Sequence, residues 1–243
     1  MIKKCFLLPL IILFSASLFA QNLKGFRLTA QAGYAVPFGD YAQAASQGEY
    51  LNRDADQGFD FNLSGEIFIT ERLGFIVRLG YALHEVDEEQ VKNFIQNPDA
   101  ANFDFTSSPF QHLYASGGQG LKLIKISDKV DLQPYALVGL NIMRTATKDY
   151  SYFDDVGSPI ERFRSEASVT PGILVIPGVN LNMRFTNFLE FRLFAEVFGS
   201  DHQAESVLNY YDGTLSVPTT QEDVEVDYQV RTLNAGAALS FRF

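Results

Sequence analysis

Apolar residues recur at every second position over stretches of ten or more residues, and this alternation constrains the fold more than any other feature of the chain. The first such stretch places these apolar side chains on one face: Phe26, Leu28, Ala30, Ala32, Tyr34 and Val36. A period of two is typical of a strand, whereas an amphipathic helix has a period of 3.6. Seven further stretches of this kind follow, so the sequence predicts eight strands. Strands of soluble domains have about five or six residues, whereas tilted membrane-crossing strands need about 9–11.

The connections between these stretches differ in length in a regular way. Short turns are predicted at residues 70–72, 127–131 and 186–187, and long loops at residues 37–57, 85–110, 147–168 and 199–227. Short turns at one rim and long loops at the other are typical of a transmembrane β-barrel. We therefore predict an all-β fold, a transmembrane antiparallel up-and-down β-barrel of eight strands. Ten strands are possible if residues 103–113 or 210–217 fold back as a hairpin.

The face opposite the apolar side chains is charged, which inverts the polarity of a soluble barrel. The predicted lumen polar network consists of Arg27, Glu66, Arg78, Lys122, Arg184, Glu190, Arg192, Glu196 and Arg242. The interior of an eight-stranded barrel is only wide enough for side chains to fill, and an unpaired buried charge is costly. We therefore expect these charges to pair across the lumen and to plug it, with the carboxylates of one strand facing Arg27 and Arg242. A gated or leaky polar path is the alternative.

The N-terminal segment has the pattern of a secretory signal peptide. Lys3 and Lys4 precede an apolar run at residues 6–19, and the small residue Ala20 follows it. The run of about 14 residues is shorter than the roughly 20 that span a bilayer. We predict a signal peptide at residues 1–20 and one barrel domain at residues 21–243. The single cysteine, Cys5, lies in the predicted signal peptide, so the mature chain has neither disulfides nor thiolate chemistry.

The acidic residues are concentrated in the predicted loops. The four long loops contain 22 acidic and 5 basic residues, a net charge of −17, whereas the whole predicted mature chain carries −12. The strands and turns together therefore carry +5. Nucleic-acid binding requires a basic face, so we expect no nucleic-acid partner.

The end of the chain carries the last element of the pattern. Apolar residues at alternate positions lead to a terminal aromatic residue: Ala237, Leu239, Phe241 and Phe243. With this end, the signal peptide, the eight alternating strands and the turn-and-loop asymmetry, the chain resembles the small outer-membrane β-barrel proteins of the porin-like superfamily. That group includes the OmpA membrane domain, OmpX and OmpW.

The resemblance implies a location and a set of partners. It implies the bacterial outer membrane, with both termini in the periplasm and the long loops outside the cell. It implies that the four C-terminal residues form an assembly signal read by the barrel assembly machinery. The partners expected on this basis are outer-membrane lipid and lipopolysaccharide, together with a surface ligand bound through the loops. Divalent cations could bridge the acidic loops to lipopolysaccharide, because hard cations prefer oxygen ligands, but we favour the interpretation that the loops are simply solvated.

Three classes of function are compatible with this fold. The first is an envelope-structural or surface-recognition barrel, which we favour. The second is a narrow channel for small solutes or hydrophobic compounds. The third is a lipid-modifying enzyme, which needs a Ser/His/acid set. Ser200, Asp201 and His202 are consecutive residues in a predicted loop and rarely form such a set, so we predict no enzyme, no catalytic residue, no cofactor and no metal site.

Overall fold

The computed structural model describes residues 25–42, 54–89, 91, 102–122, 124–213 and 217–243. The predicted signal peptide lies outside these residues. Within them the chain forms twelve strands: β1 (Phe26–Pro37), β2 (Ala55–Phe68), β3 (Leu73–Val86), β4 (Asn102–Ser107), β5 (Phe110–Leu121), β6 (Ile124–Lys125), β7 (Val130–Arg144), β8 (Lys148–Phe153), β9 (Pro159–Ser165), β10 (Val169–Arg184), β11 (Leu189–Asp212) and β12 (Thr220–Arg242). A 3₁₀ turn at Gly39–Tyr41 follows β1. No helix among the described residues is long and apolar enough to cross a membrane.

Eight of these strands close into a ring. The order around the ring is β1, β2, β3, β5, β7, β10, β11 and β12, and β12 pairs with β1 to close it. Every pair is antiparallel, so the ring is an up-and-down barrel, as the sequence predicts. The alternative of ten strands is wrong. Phe103 lies in β4, which pairs with β8 outside the ring, and Tyr210 lies in the part of β11 that extends beyond the ring and pairs with β9.

The three short turns share one end of the barrel, the turn end, and hydroxyl side chains stabilise them. Thr70 Oγ1 accepts hydrogen bonds from the backbone N–H groups of Arg72 and Leu73. Thr186 Oγ1 accepts equivalent bonds from the second and third residues after it. A side-chain oxygen thus satisfies backbone donors that the strands leave free. The two Thr-initiated turns occur where the alternation in the sequence breaks.

The outer surface of the ring is an apolar belt. Leu79 is 62% exposed and Leu140 is 63% exposed, and their neighbours on the same face are also apolar. Inward-facing positions of the same strands hold buried polar residues, such as Gln31 and Asn62. Soluble proteins rarely expose a contiguous apolar surface larger than a few hundred Å². The belt therefore faces lipid, and the ring crosses a membrane.

Beyond the ring, at the end opposite the short turns, the same sheet continues in strands where the sequence predicts long loops. β11 and β12 extend past their ring neighbours and continue through β9 and β8 to β4. We call the part formed by residues 102–107, 148–165, 200–212 and 220–231 the protruding sheet. The prediction of a long loop at residues 199–227 is therefore wrong in extent, because β11 continues to Asp212 and β12 begins at Thr220.

The protruding sheet keeps the period of two but reverses its polarity. In β12 the inward residues Val226 and Val230 are fully buried, whereas Glu225 and Asp227 point outward and are exposed. Nearer the turn end of the same strand, Leu233 and the apolar residues after it point outward. Apolar side chains face inward where water surrounds the sheet and outward where lipid does. The reversal near residue 231 marks the edge of the apolar belt on the side of the protruding sheet.

The protruding sheet encloses a buried interior that is continuous with the interior of the ring. Aromatic side chains of β4 and β8 pack there, with ring centroids of Phe105 and Tyr150 4.9 Å apart. Lys148 forms a buried ion pair with Asp54, with Nζ 3.2 Å from Oδ2. Burial lowers the pKa of Lys148 and the Asp54 carboxylate opposes that shift. The sheet is therefore a folded element with a core rather than a solvated loop cluster.

Replacing Leu79 with Arg tests whether the belt contacts lipid. We expect the free energy of unfolding in lipid vesicles to fall by about 2–4 kcal/mol relative to Leu79→Ala, because arginine near the middle of a bilayer is costly. Urea unfolding followed by tyrosine fluorescence measures it. Gln221→Arg, at an exposed position of the protruding sheet, is the matched control and should change stability by less than about 0.5 kcal/mol. Equal effects of the two arginines would contradict lipid contact.

Candidate functional site

The lumen near the turn end contains a ring of two arginines and two glutamates. Arg27 Nη1 lies 2.9 Å from Glu66 Oε2, and Arg27 Nη2 lies 3.1 Å from Glu190. Arg192 completes the ring, at 3.1 Å from both glutamates. Gln133 hydrogen-bonds to both Arg27 and Glu66. These residues come from four strands, and each charge therefore has opposite charges beside it.

A second group of polar residues occupies the middle of the lumen. Arg78 Nη1 lies 2.6 Å from Glu196 Oε2. The Tyr135 hydroxyl donates a hydrogen bond to the same carboxylate, and the Arg78 guanidinium lies over the Tyr135 ring, 5.3 Å from its centroid. Beside this pair, the Tyr114 hydroxyl donates to Asp60 Oδ2 at 2.7 Å.

Glycines on the inward face leave space for these large side chains. A Cβ atom at Gly80 would lie 2.2 Å from the Tyr114 ring, and one at Gly178 would lie 2.5 Å from the Tyr135 ring. Both distances are far below van der Waals contact. Each tyrosine hydroxyl reaches its carboxylate over one intervening strand, because that strand carries a glycine at this point: Gly80 of β3 lies between Tyr114 and Asp60, and Gly178 of β10 lies between Tyr135 and Glu196.

The structure brings six of the nine residues predicted for the lumen polar network into ion pairs: Arg27, Glu66, Arg78, Glu190, Arg192 and Glu196. The other three, Lys122, Arg184 and Arg242, lie at the turn end and have no carboxylate within 4 Å among the described residues. Arg242 is opposite Arg27 in the register of β1 and β12. Arg27 forms ion pairs with both Glu66 and Glu190, and neither glutamate pairs with Arg242.

Sequence reasoning missed four lumen residues that complete these groups: Asp60, Tyr114, Gln133 and Tyr135. The period of two contains the signal for them, because each occupies an inward position of its strand. The prediction considered only residues with a formal charge, which leaves out Gln133 and the two tyrosines. It also omitted Asp60, although this residue is charged and alternates with two outward phenylalanines. Tyr114 and Tyr135 read as apolar residues, and their role depends on the carboxylates opposite them.

Near the protruding sheet, three histidines occupy the lumen. Asn141 Nδ2 lies 3.0 Å from His112 Nδ1 and 3.0 Å from His202 Nε2. His84 packs edge-on against His112, with ring centroids 5.5 Å apart, and the Tyr41 hydroxyl lies 3.1 Å from His112 Nε2. In the described ranges, no group of three or more His, Cys, Asp or Glu side chains is arranged to hold a metal ion.

Ser200, Asp201 and His202 lie in β11 rather than in a loop. Ser200 Oγ and His202 Nε2 are 2.6 Å apart inside the barrel. Asp201 points outward and pairs with Arg231 at 2.7 Å, since adjacent residues of a strand face opposite sides. His202 Nδ1 instead lies 3.2 Å from the carbonyl oxygen of Thr170. The three residues therefore do not form a Ser/His/acid set.

The C-terminal residue lies at the seam where the barrel closes. The Phe243 N–H donates to the Phe26 carbonyl at 2.9 Å, and the Phe26 N–H donates to the Phe243 carbonyl at 3.1 Å. Leu239, Phe241 and Phe243 are exposed on the belt and Ala237 is half-buried. The four residues that the sequence singles out thus occupy the last turn-end segment of the closing strand.

Removing one partner of the middle ion pair tests its coupling. Arg78→Met leaves Glu196 buried beside Tyr135 without a cation, so we expect the free energy of unfolding to fall by about 3–5 kcal/mol. The double variant Arg78→Met with Glu196→Leu should lose less than this, because no uncompensated charge remains. Urea unfolding in vesicles measures these two variants and the single variant Glu196→Leu. Strictly additive losses would mean that the two residues are not coupled.

Comparison with known proteins places this fold in a family. The family model of the outer membrane protein beta-barrel domain matches residues 6–241. The chain is similar to OprG from Pseudomonas aeruginosa, at 14% identity over 92% of this chain and 98% of that chain, with a TM-score of 0.47. It is also similar to Neisserial surface protein A, at 18% identity over 90% of this chain and 97% of that chain, with a TM-score of 0.36. For Ail of Yersinia pestis the identity is 14%, the coverage 90% and 99%, and the TM-score 0.40.

The comparison with curated proteins gives no significant match. The family model covers nearly the whole chain, and it confirms the resemblance to small outer-membrane barrels of the OmpA, OmpX and OmpW type. The chain therefore belongs to the outer membrane protein beta-barrel domain family and is a protein of the bacterial outer membrane.

Proposed function

We propose that this protein is a non-conducting outer-membrane barrel that stabilises the envelope and presents the protruding sheet for recognition at the cell surface. The observation that carries the proposal is the packed lumen, in which ion pairs such as Arg78–Glu196 are fully buried. An ion crossing the barrel would have to separate these pairs in a low-dielectric interior, at a cost of several kcal/mol. The narrow channel remains the competing function.

The proposed orientation places both termini and the short turns in the periplasm and the protruding sheet outside the cell. Short periplasmic turns and long extracellular segments are the usual asymmetry of such barrels. Phe243 then lies at the periplasmic rim, where we propose that it and the alternate residues before it act as the signal for the barrel assembly machinery. The exposed aromatic ring and its place on the closing strand support this role.

The protruding sheet offers a preformed surface for a ligand. Its outer face contains a cavity of about 370 Å³, lined by Asp104, Thr106, Asp149, Ser151, Pro159, Arg162 and Gly213. Arg162 binds Asp149 through two hydrogen bonds and lies over the Tyr211 ring, 5.3 Å from its centroid. These contacts hold the polar groups in place before a ligand arrives, which lowers the entropy cost of binding.

Lipopolysaccharide is a second proposed partner of this sheet. Glu205 and Glu225 are directly opposite each other on the outer face of β11 and β12, an arrangement that is destabilising without a counter-charge. Divalent cations could supply that charge and bridge the carboxylates to anionic lipopolysaccharide. The proposal includes no catalysis, because Asp201 points away from Ser200 and His202.

Conductance in planar bilayers distinguishes the plug from the channel. We expect the purified, folded wild-type protein to give no current steps above baseline, because the ion pairs fill the lumen. The variant Arg78→Ala with Glu196→Ala removes the middle pair and should give small steps. A folded wild-type barrel that conducts in discrete steps would favour the channel.

Cysteine labelling on intact cells tests the orientation, since the predicted mature chain has no cysteine. Val156 lies in the turn between β8 and β9 and is 80% exposed, and Glu71 lies in a short turn. A membrane-impermeant maleimide should label Val156→Cys on intact cells, and Glu71→Cys only after lysis. The wild-type chain gives the background. Labelling of Glu71→Cys alone on intact cells would invert the orientation.

A further inference from the structure

Three cationic side chains surround the lumen at the turn end, and we call them the basic mouth: Lys122, Arg184 and Arg242. Each backbone N–H is bonded at 2.8 Å to a neighbouring turn or chain segment, at the carbonyls of Arg72, Lys129 and Phe188 respectively. All three side chains are only partly exposed. The rim therefore holds their backbones in place around one opening.

Arg242 links the three cations electrostatically. It interacts with Arg184, with Lys122 and with Arg27 beneath it, and both Arg242 and Lys122 also interact with the carboxylates of Asp131 and Glu190. Lys122 Nζ also lies over the ring of Phe68, 4.4 Å from its centroid. The basic mouth is thus one cluster rather than three separate surface charges.

The carboxylates of the turn end do not balance this cluster. Among the described side chains, five cations face the lumen there, the basic mouth with Arg27 and Arg192, whereas the side-chain carboxylates are Glu66, Asp131 and Glu190, so the side chains leave two positive charges in excess. Both glutamates already bind Arg27 and Arg192. Asp131 Oδ1 accepts a hydrogen bond from Asn182 at 2.6 Å.

Arg184 has a donor that lacks a partner. Its Nε is buried and has no hydrogen-bond partner among the described residues. A buried donor without an acceptor costs free energy, and the cost is larger for a charged group. The excess charge and the free donor occur at the same opening, so both point to an acceptor of negative charge.

We propose that the basic mouth binds a phosphate group. The planar guanidinium of arginine matches the oxygens of phosphate through paired hydrogen bonds, and lysine adds a point charge. A cleft with charges of one sign and low-dielectric walls concentrates counter-ions, and here the walls are the barrel strands.

Two sources could supply this phosphate. One is free inorganic phosphate that enters the opening from solution. The other is the head group of a phospholipid, because the exposed Phe185 and Phe188 beside the opening belong at the level of a membrane interface. The inference is independent of the proposed plug and of surface recognition.

Calorimetric titration of the full mature protein, folded in a phosphate-free maltoside detergent, tests the proposal with inorganic phosphate. Native mass spectrometry with added phosphatidylglycerol tests the lipid. We expect saturable binding of at least one probe, and Arg184→Gln with Arg242→Gln should weaken it by about tenfold or more, since charged hydrogen bonds are lost. Phosphate binding identifies the free anion as the source, and binding of the lipid alone identifies the head group.

Two controls make the result specific. Lys129→Gln removes one charge from an exposed turn at the same rim and should leave binding unchanged. Arg184→Lys with Arg242→Lys keeps the charge but loses the planar fork, so its affinity should lie between those of the wild type and the Gln variant. Heat-modifiable migration on a gel checks that each barrel is folded. Non-saturable binding of both probes to the wild type, or equal weakening by Lys129→Gln and the double Gln variant, would overturn the proposal.

Discussion

Closure of the sheet on itself is the constraint on which the rest of this structure depends. In a bilayer no water satisfies backbone N–H and C=O groups, so a membrane-crossing sheet must leave no open edge. The seam between β1 and β12, which ends in the reciprocal Phe26–Phe243 hydrogen bonds, meets this requirement. Eight strands enclose a narrow interior. The charged residues on the inward face must consequently pair with one another, as Arg27 does with Glu66 and Glu190.

The same strands serve two solvents without a change of period. Along β12 from the turn end, the inward residues Ser240, Asn234 and Thr232 are polar and the following inward residues Val230 and Val226 are apolar, while the outward face changes from apolar to acidic. The hydrophobic effect removes apolar side chains from water. They therefore point outward where the sheet contacts lipid and inward where water surrounds it. One continuous hairpin therefore forms part of a membrane barrel and part of a water-exposed sheet. A single buried apolar cluster joins the two parts, because Phe105, Tyr150 and Tyr228 of the protruding sheet belong to it together with Tyr114 and Leu137 of the ring.

Most charged side chains of the lumen are bound to one another. Buried carboxylates that would suit acid–base catalysis in a cleft are bound here by Arg27, Arg78 and Arg192. Ser200 and His202 share a face of β11, but the strand period turns Asp201 away from them. The excess of positive charge among the described side chains is at the turn end, whereas Asp60 in the middle of the lumen is bound by Tyr114 and Asn62 rather than by a cation. The turn end is where the geometry departs from a fully compensated plug.

The sequence by itself determined the eight strands, the three short turns, the apolar belt and the charged inward face, because these follow from side-chain alternation along each strand. It did not determine the ion pairs, since Arg27 and Glu190 are far apart in the chain and meet only after the barrel closes. It also did not show that residues 199–227 are mostly strand. Acidic residues with small and polar neighbours resemble a solvated loop. What distinguishes a sheet here is the packing of the inward apolar residues of β11 and β12 with apolar residues of β4, β8 and β9, which only the tertiary structure shows.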